Sequence, residues 1–383
     1  MIESRMGITV RQKGGYQAYI PKPLPPDPPV HFDDELHHLL SEADRALARL
    51  DGMTTILPNA DLFVAMYVKK EALLSSQIEG TQASLQGVLE FEADMVPGDD
   101  INEVKEVINY IRAMDEGLGR TRHELFSLEI LQEIHRILLE GTRGGKKEPG
   151  KIRTVQNWIG PPGSNLHSAT FIPPPPEKVQ ELLEDLESFI VAGDRIPPLI
   201  KIGLVHAQFE TIHPFIDGNG RMGRLFITFY LCQKGILARP LLYLSIYLKQ
   251  HREEYYSLLQ EIRMEGDWES WLKFFLRGII EVSNEALANA REIISLKERL
   301  IDTLVKNNVG GLNAVRLLSL LFTKPVVTVT DISSSLGISH QPAYDLVNQF
   351  EKLEILSEIT GKKRYKKYLF TDYLRIIERG TGQ

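Results

Sequence analysis

From His206 to Arg224 the chain is restricted to a helix, a tight polar loop and a second helix. Leu204, Val205, Phe209 and Ile212 recur at helical spacing, Pro214 stops that helix, and Leu225, Phe226, Phe229 and Tyr230 resume the period after Arg221. Between them, Gly218 and Gly220 admit backbone angles closed to other residues, so Gly218-Asn219-Gly220 can turn successive amides inward at the mouth of the second helix. Such a nest binds an anion, and the helix dipole adds positive character there. Arg221 and Arg224 share one face of the first turn, where their charge opposes the dipole unless a polyphosphate lies over them. Asp217 is placed to hold a divalent metal that bridges phosphates, and His213 stands where a proton acceptor is needed. These residues in this order point to phosphoryl or nucleotidyl transfer onto a hydroxyl, with His213 as general base.

The run His213-Pro214-Phe215-Ile216-Asp217-Gly218-Asn219-Gly220-Arg221-Met222-Gly223-Arg224 matches every fixed position of the signature His-Pro-Phe-x-Asp/Glu-Gly-Asn-Gly-Arg-x-x-Arg. On it the chain resembles Fic-domain proteins. The resemblance implies a mainly α fold, a helical bundle with a β-hairpin flap, and an ATP-dependent protein adenylyltransferase. AMP would pass to a Ser, Thr or Tyr hydroxyl of a target protein or of the chain itself. In that reading His213 takes the hydroxyl proton, Asp217 holds Mg²⁺ across the phosphates, and Gly218, Asn219 and Gly220 stabilise charge on the α- and β-phosphates. Arg221 and Arg224 grip the β/γ end, and Met222 and Gly223 complete the ATP-binding stretch. Phosphotransferases of the family typically depart from the glycine pattern, so the intact Gly218-Asn219-Gly220 favours AMP transfer. Removal of AMP stays open, and family analogy alone points to a homodimer.

Residues 1–32 are rich in proline and glycine and read as an extended arm. Helical periodicity covers 33–120, and there Ser75-Ser76-Gln77-Ile78-Glu79-Gly80 ends a helix with a lone carboxylate, which the dipole disfavours. This segment, within a helix over about 62–80, resembles the inhibitory Ser/Thr-x-x-x-Glu-Gly/Asn helix of Fic proteins. It implies that Ser75 and Glu79 are inhibitory, with Glu79 pairing with Arg224 and obstructing placement of the γ-phosphate. Residues 121–280 read as the catalytic core. Within it Thr154–Ile159 and Ala169–Ile172 read as two strands around Gly160-Pro161-Pro162-Gly163, which resemble the Fic flap over about 154–174 that pairs with an extended target segment. A helical block from Leu125 to Leu139 precedes it, with His135 read as a packed core histidine.

His206, Glu210 and His213 stand four and three apart, a spacing that on one helix can offer a metal face. Zinc chemistry, however, gives the glycine nest and the paired arginines no role. Tyr255 and Tyr256 point in different directions on a helix, so at most one faces a given pocket; the resemblance assigns Tyr256 to the nucleotide. The single cysteine, Cys232, lies among aromatic residues and reads as a core thiol.

Residues 281–310 read as a connecting helix, and 311–383 as a winged-helix-like domain with three helices and a two-stranded wing. There His340, Gln341 and Tyr344 can face a major groove, and Lys362, Lys363, Arg364, Lys366 and Lys367 can meet phosphates. Asp345, Glu351 and Glu354 on the recognition helix argue for a protein contact instead. The groove-facing and basic residues leave as the alternative function a DNA-binding transcriptional regulator whose Fic domain senses nucleotide. A formal charge of -7 over 383 residues argues against global nucleic-acid binding. No leader follows Met1 and no apolar run reaches membrane-spanning length, so no membrane partner is expected and the cytoplasm is the expected compartment.

Overall fold

The computed structural model describes residues 5–53, 60–93, 95–124, 126–309, 311–362 and 364–379. The expected helix start at Leu125 and the wing residue Lys363 lie outside them. The arm is not simply extended: β1 (Ile8–Arg11) and β2 (Gln17–Ile20) form an antiparallel hairpin, and the Tyr19 amide donates to the Ile172 carbonyl at 3.0 Å. Arg5 fastens this segment through Glu269 at 2.7 Å and the carbonyls of Pro28 and Pro29.

Helices α1 (Asp34–Met53), α2 (Ala60–Ile78), α3 (Leu85–Glu92) and α4 (Ile101–Thr121) come next, followed by α5 (Leu128–Leu139) and α6 (Pro176–Val191). The central pair is α7 (Pro198–Ile212) and α8 (Asn219–Gln233). Proline occupies the start of α7, where a missing N–H costs nothing, and residues 199–212 are all buried. The segment from Leu241 to Ile262 divides at His251 into α9 (Ser245–Gln250) and α10 (Arg252–Glu265). The connecting helix does not begin near 281. It is the later part of α11 (Trp268–Lys306), one 39-residue helix that starts in the core with Asp267 as its cap and packs along α1.

The flap departs most from expectation. Two strands were predicted; a single bridge, Ile159 with Phe171, joins the limbs. Pro161, Pro162 and Pro173 to Pro176 supply no N–H; the Gln156 side chain, not the backbone, reaches the Pro173 carbonyl on the opposite limb, and Asn157 donates out of the flap to the His213 carbonyl.

The C-terminal module is a winged helix with more parts than the sequence suggested. It holds α12 (Leu312–Leu321), β3 (Val326–Thr328), α13 (Val329–Leu336), α14 (His340–Lys352), β4 (Ser357–Glu358), β5 (Lys367–Leu369) and α15 (Thr371–Ile377), with strand order β3-β5-β4. A capping box between Thr328 and Asp331 starts α13, and Gly337 ends it. The module sits against the N-terminal helices: buried Lys70 of α2 donates to the Arg379 carbonyl at 2.7 Å, and Lys367 donates to the Ala93 carbonyl. Lys367 is therefore half-buried and engaged by a carbonyl of the N-terminal region. Among the described residues no helix is long and apolar enough to cross a membrane.

Candidate active site

Helix α7 ends in His213, whose φ of 48° and ψ of 61° put a non-glycine residue in the left-handed region. The turn that follows is closed by its own side chains. Asn219 Oδ1 accepts from the Phe215 amide and Asn219 Nδ2 donates to the Phe215 carbonyl, both at 2.8 Å, so the asparagine side chain braces the loop. Phe215 is buried and stacks on His135 at 3.7 Å. His135 Nδ1 accepts from the Gly150 amide at 2.8 Å, which leaves Nε2 to donate to the Asp217 carbonyl at 2.9 Å. Burial lowers its pKa to about 4, so it stays neutral and keeps that tautomer.

Of the two glycines, only Gly218 needs unusual backbone angles: it starts α8 at φ 77°. Gly220 is helical and is needed for another reason, since a Cβ there would lie 2.1 Å from Glu79 Oε1. The first amides of α8 have no partner within the helix, so the site is an N-terminal anion seat with Arg221 and Arg224 beside it. Arg221 lies 3.7 Å from Glu106 and 3.6 Å from Asp217, yet its Nε and Nη1 are buried without a hydrogen bond among the described residues.

Arg224 is 3 % exposed and held by two residues of the α2 end: Nε donates to Ser75 Oγ at 2.8 Å, and Nη2 to the Ser75 carbonyl at 2.9 Å and Glu79 Oε1 at 2.8 Å. Burial opposes the arginine's charge, but Glu79, Tyr255 and Glu210 together more than offset it and the pKa stands above the ordinary range. Burial likewise pushes Glu79 up, and Arg224 brings it to a net value below the ordinary one. The Glu79 side chain is 34 % exposed to the cavity, so this pair is closed on one side only.

That cavity, about 1100 Å³, is lined by Glu79, His213, Gly220, Arg224, Tyr256 and the flap residue Phe171 among others. The His213 ring lies beside the Glu210 backbone, and burial lowers its pKa to about 4 although Glu79 pulls the other way. Its imidazole is thus an unprotonated acceptor at neutral pH. Tyr256 is 40 % exposed, whereas Tyr255 is buried with its hydroxyl 2.9 Å from His206 Nε2. The other ring nitrogen of His206 is 3.1 Å from the Gly223 carbonyl, so both nitrogens are engaged within the protein.

Met222 is buried in the core, and Gly223 faces Glu210 and His206 rather than the cavity. Asp217 keeps a partly exposed carboxylate 3.6 Å from Arg221 and near Gly144, and it is not among the residues that line the cavity. Among the described residues no group of three His, Cys, Asp or Glu side chains could cage a metal ion. A single half-open carboxylate beside an anion seat does fit Mg²⁺, which is commonly held through one or two carboxylates and substrate phosphates.

Several residues of the site were not singled out by sequence reasoning. Glu210, 5 % exposed, has Oε1 without a hydrogen-bond partner among the described residues, and burial raises its pKa to about 7. Arg263 donates to Thr211 Oγ1 at 3.1 Å and lies 3.7 Å over the Phe171 ring. Arg153 and Asn157 at the flap base reach the His213 carbonyl at 2.9 and 3.2 Å. Glu210 stood in the His206/Glu210/His213 spacing; nothing in the local pattern marked the others. Cys232 is half-buried with its thiol pushed up to about 12, as a packed cysteine should be.

Comparison with known proteins gives three matches along the chain: a Fic/DOC family N-terminal model over residues 37–119, a Fic/DOC family model over 125–231, and an HTH DNA binding domain over 315–368. The chain is 29% identical over 205 residues to protein adenylyltransferase fic-1 of Caenorhabditis elegans, covering 51% of this chain and 37% of that protein. A probable protein adenylyltransferase of Aquifex aeolicus is 29% identical over 201 residues, covering 52% of this chain and 56% of that one. The chain thus spans roughly two fifths to just over half of these relatives. A crystal structure of a Fic family protein from Desulfovibrio desulfuricans superposes with a TM-score of 0.59 at 20% identity, over 89% of this chain and 97% of that one. The loop between α7 and α8 and the C-terminal winged helix agree with these matches, and the chain carries a Fic/DOC family N-terminal region over 37–119 followed by a Fic/DOC family domain over 125–231.

Proposed function

We propose that this chain is a protein adenylyltransferase that transfers AMP from ATP to a Ser, Thr or Tyr hydroxyl of a target protein or of itself. The observation that carries the reading is the meeting, on one cavity, of an unprotonated His213 with the amide-rich start of α8 and Arg224. The His213 imidazole accepts the hydroxyl proton as the hydroxyl oxygen bonds to the α-phosphorus, and the bond from that phosphorus to the pyrophosphate oxygen breaks. The amides of α8 stabilise the charge that develops on the phosphate oxygens, and Arg221 and Arg224 take the β/γ end. Asp217 would hold Mg²⁺, which supplies charge neutralisation between phosphates. Tyr256 offers its ring to the purine.

Glu79 restrains this activity in the proposed reading, because it occupies the guanidinium that a γ-phosphate would need. Glu79→Gly raises AMP incorporation, self-modification included, and His213→Ala abolishes it; an adduct of AMP mass after incubation with ATP and Mg²⁺ is the readout. No adduct in wild type or Glu79→Gly would defeat the assignment.

A second reading, a DNA-binding regulator that senses nucleotide, is favoured by the HTH DNA binding domain match and by exposed His340, Gln341, Tyr344, Lys362 and Arg364. A salt-dependent, sequence-selective gel shift lost on neutralising Lys362 and Arg364 supports it, and its absence removes it.

A further inference from the structure

Arg153 is 1 % exposed and forms no ion pair among the described residues. Its donors go to peptide carbonyls instead. Nε donates to His213 O at 2.9 Å and Nη2 to Ile212 O at 3.4 Å, at the end of α7; Nη2 also donates to Pro174 O at 2.5 Å and Nη1 to Val155 O at 3.3 Å, at the two ends of the flap. The Arg153 amide donates to Pro214 O at 2.9 Å. A buried cation without a carboxylate is costly, and burial here lowers the pKa to about 10. What offsets that cost is the negative end of the α7 dipole and its last carbonyls, which have no donors inside the helix.

The same carbonyls belong to the residues that decide where the imidazole stands. His213 holds a left-handed conformation unfavourable for a residue with a Cβ, and such a conformation persists only where its surroundings impose it. Asn157 adds a second constraint from the flap, with Nδ2 donating to His213 O at 3.2 Å and to Phe215 O at 2.9 Å.

We propose that Arg153 is a positioning residue for AMP transfer, fixing the His213 peptide and both ends of the flap in one frame so that base and docked hydroxyl meet in register. The inference rests on the adenylyltransferase reading and assigns Arg153 no contact with ATP. A lysine cannot replace it, because a compact ammonium cannot reproduce a planar fork that reaches four carbonyls.

The test uses the full chain with Glu79→Gly as the parent. Arg153→Lys in that parent should lower the AMP incorporation rate at saturating ATP by roughly 100-fold, the scale of a 1 Å misplacement. The dissociation constant of a fluorescent ATP analogue should stay within about twofold of the parent, because the anion seat is untouched. A rate within about threefold of the parent, or a rate that falls only in proportion to lost ATP binding, overturns the proposal. If Arg153→Lys does not fold, Asn157→Ala decides: a lower saturating rate with unchanged ATP binding supports the proposal, and an unchanged rate sinks it. Failure of the parent itself to form an AMP adduct counts against the adenylyltransferase reading instead. The positioning role is then read from ¹⁵N-histidine spectra, where Arg153→Lys should move the His213 ring signals and their titration; unchanged signals overturn it.

Discussion

Two buried arginines adjoin the unit formed by α7, the loop and α8, and their partners differ in kind. On the loop side, Arg224 faces Glu79, a carboxylate one third exposed at the end of α2. On the flap side, Arg153 faces only carbonyls of the chain's own backbone. A guanidinium held by a carboxylate can be won over by another anion, such as a terminal phosphate, because one negative group substitutes for another. A guanidinium held by peptide oxygens has nothing to exchange without moving the peptides themselves. The first arrangement suits a contact that can be released, and the second a brace.

Breaking each side in turn tests that contrast. The largest effect is expected from the base that both sides surround: His213→Ala should lower AMP incorporation by about 10³-fold, the scale of a lost general base. A companion measurement is the pH–rate profile. Since His213 is held near a pKa of about 4, its acid limb should lie well below that of an ordinary histidine, whose pKa is 6.5. A rate that halves near pH 6.5 would mean that the imidazole is not in the buried setting described.

Glu210 lies between the two sides, facing Arg224 and Arg263 with a pKa of about 7 against an ordinary 4.5. With the carboxyl raised on folding, the native state binds more protons between these values, so stability falls as pH rises through that window and stays reduced above it. Glu210→Gln should remove this slope and gain up to about 3 kcal/mol over wild type near neutral pH and little near pH 4. Urea midpoints of both proteins across the window measure it, and parallel curves would show that the carboxyl is not buried uncompensated.

Releasing the loop-side contact should have a variable but positive effect: Glu79→Gly should raise the labelling rate by roughly 5- to 150-fold, the range of a typical coupling free energy. Equal rates would show that the Arg224 contact carries no restraint. The smallest change concerns the outer wall. Tyr256→Ala should raise the KM for ATP by roughly threefold to tenfold, as expected for one aromatic contact, with the saturating rate little altered. Tyr255→Phe, at the buried neighbour, should instead act through His206 and lower thermal stability.

Legibility followed the range of the interactions. The α7–loop–α8 unit could be read because Pro214, Gly218 and the apolar period act within a few residues of themselves. Glu79 was legible as a carboxylate in the wrong place at a helix end, and Tyr256 as one of two rings of which a single one could face out. The flap was misread as two strands because alternation is a weak guide where neighbouring prolines and side-chain donors remove the ladder. Lys367 was read as a free cation because a wing lysine looks the same in sequence whether it meets solvent or the Ala93 carbonyl. The start of α11 was placed too late because a helix that leaves the core keeps its period while its surroundings change.

By itself the sequence determined the chemistry on offer: an imidazole, an amide nest, a carboxylate before it and two arginines, set in order by local turn and helix geometry. Only the tertiary structure decided how those groups are held, since Arg224 finds Ser75 and Glu79, and Arg153 finds the end of α7, across long stretches of chain. Local conformation follows from each residue's own sterics and its near neighbours. The partner of a buried charge depends on which distant segments the core brings within hydrogen-bond reach.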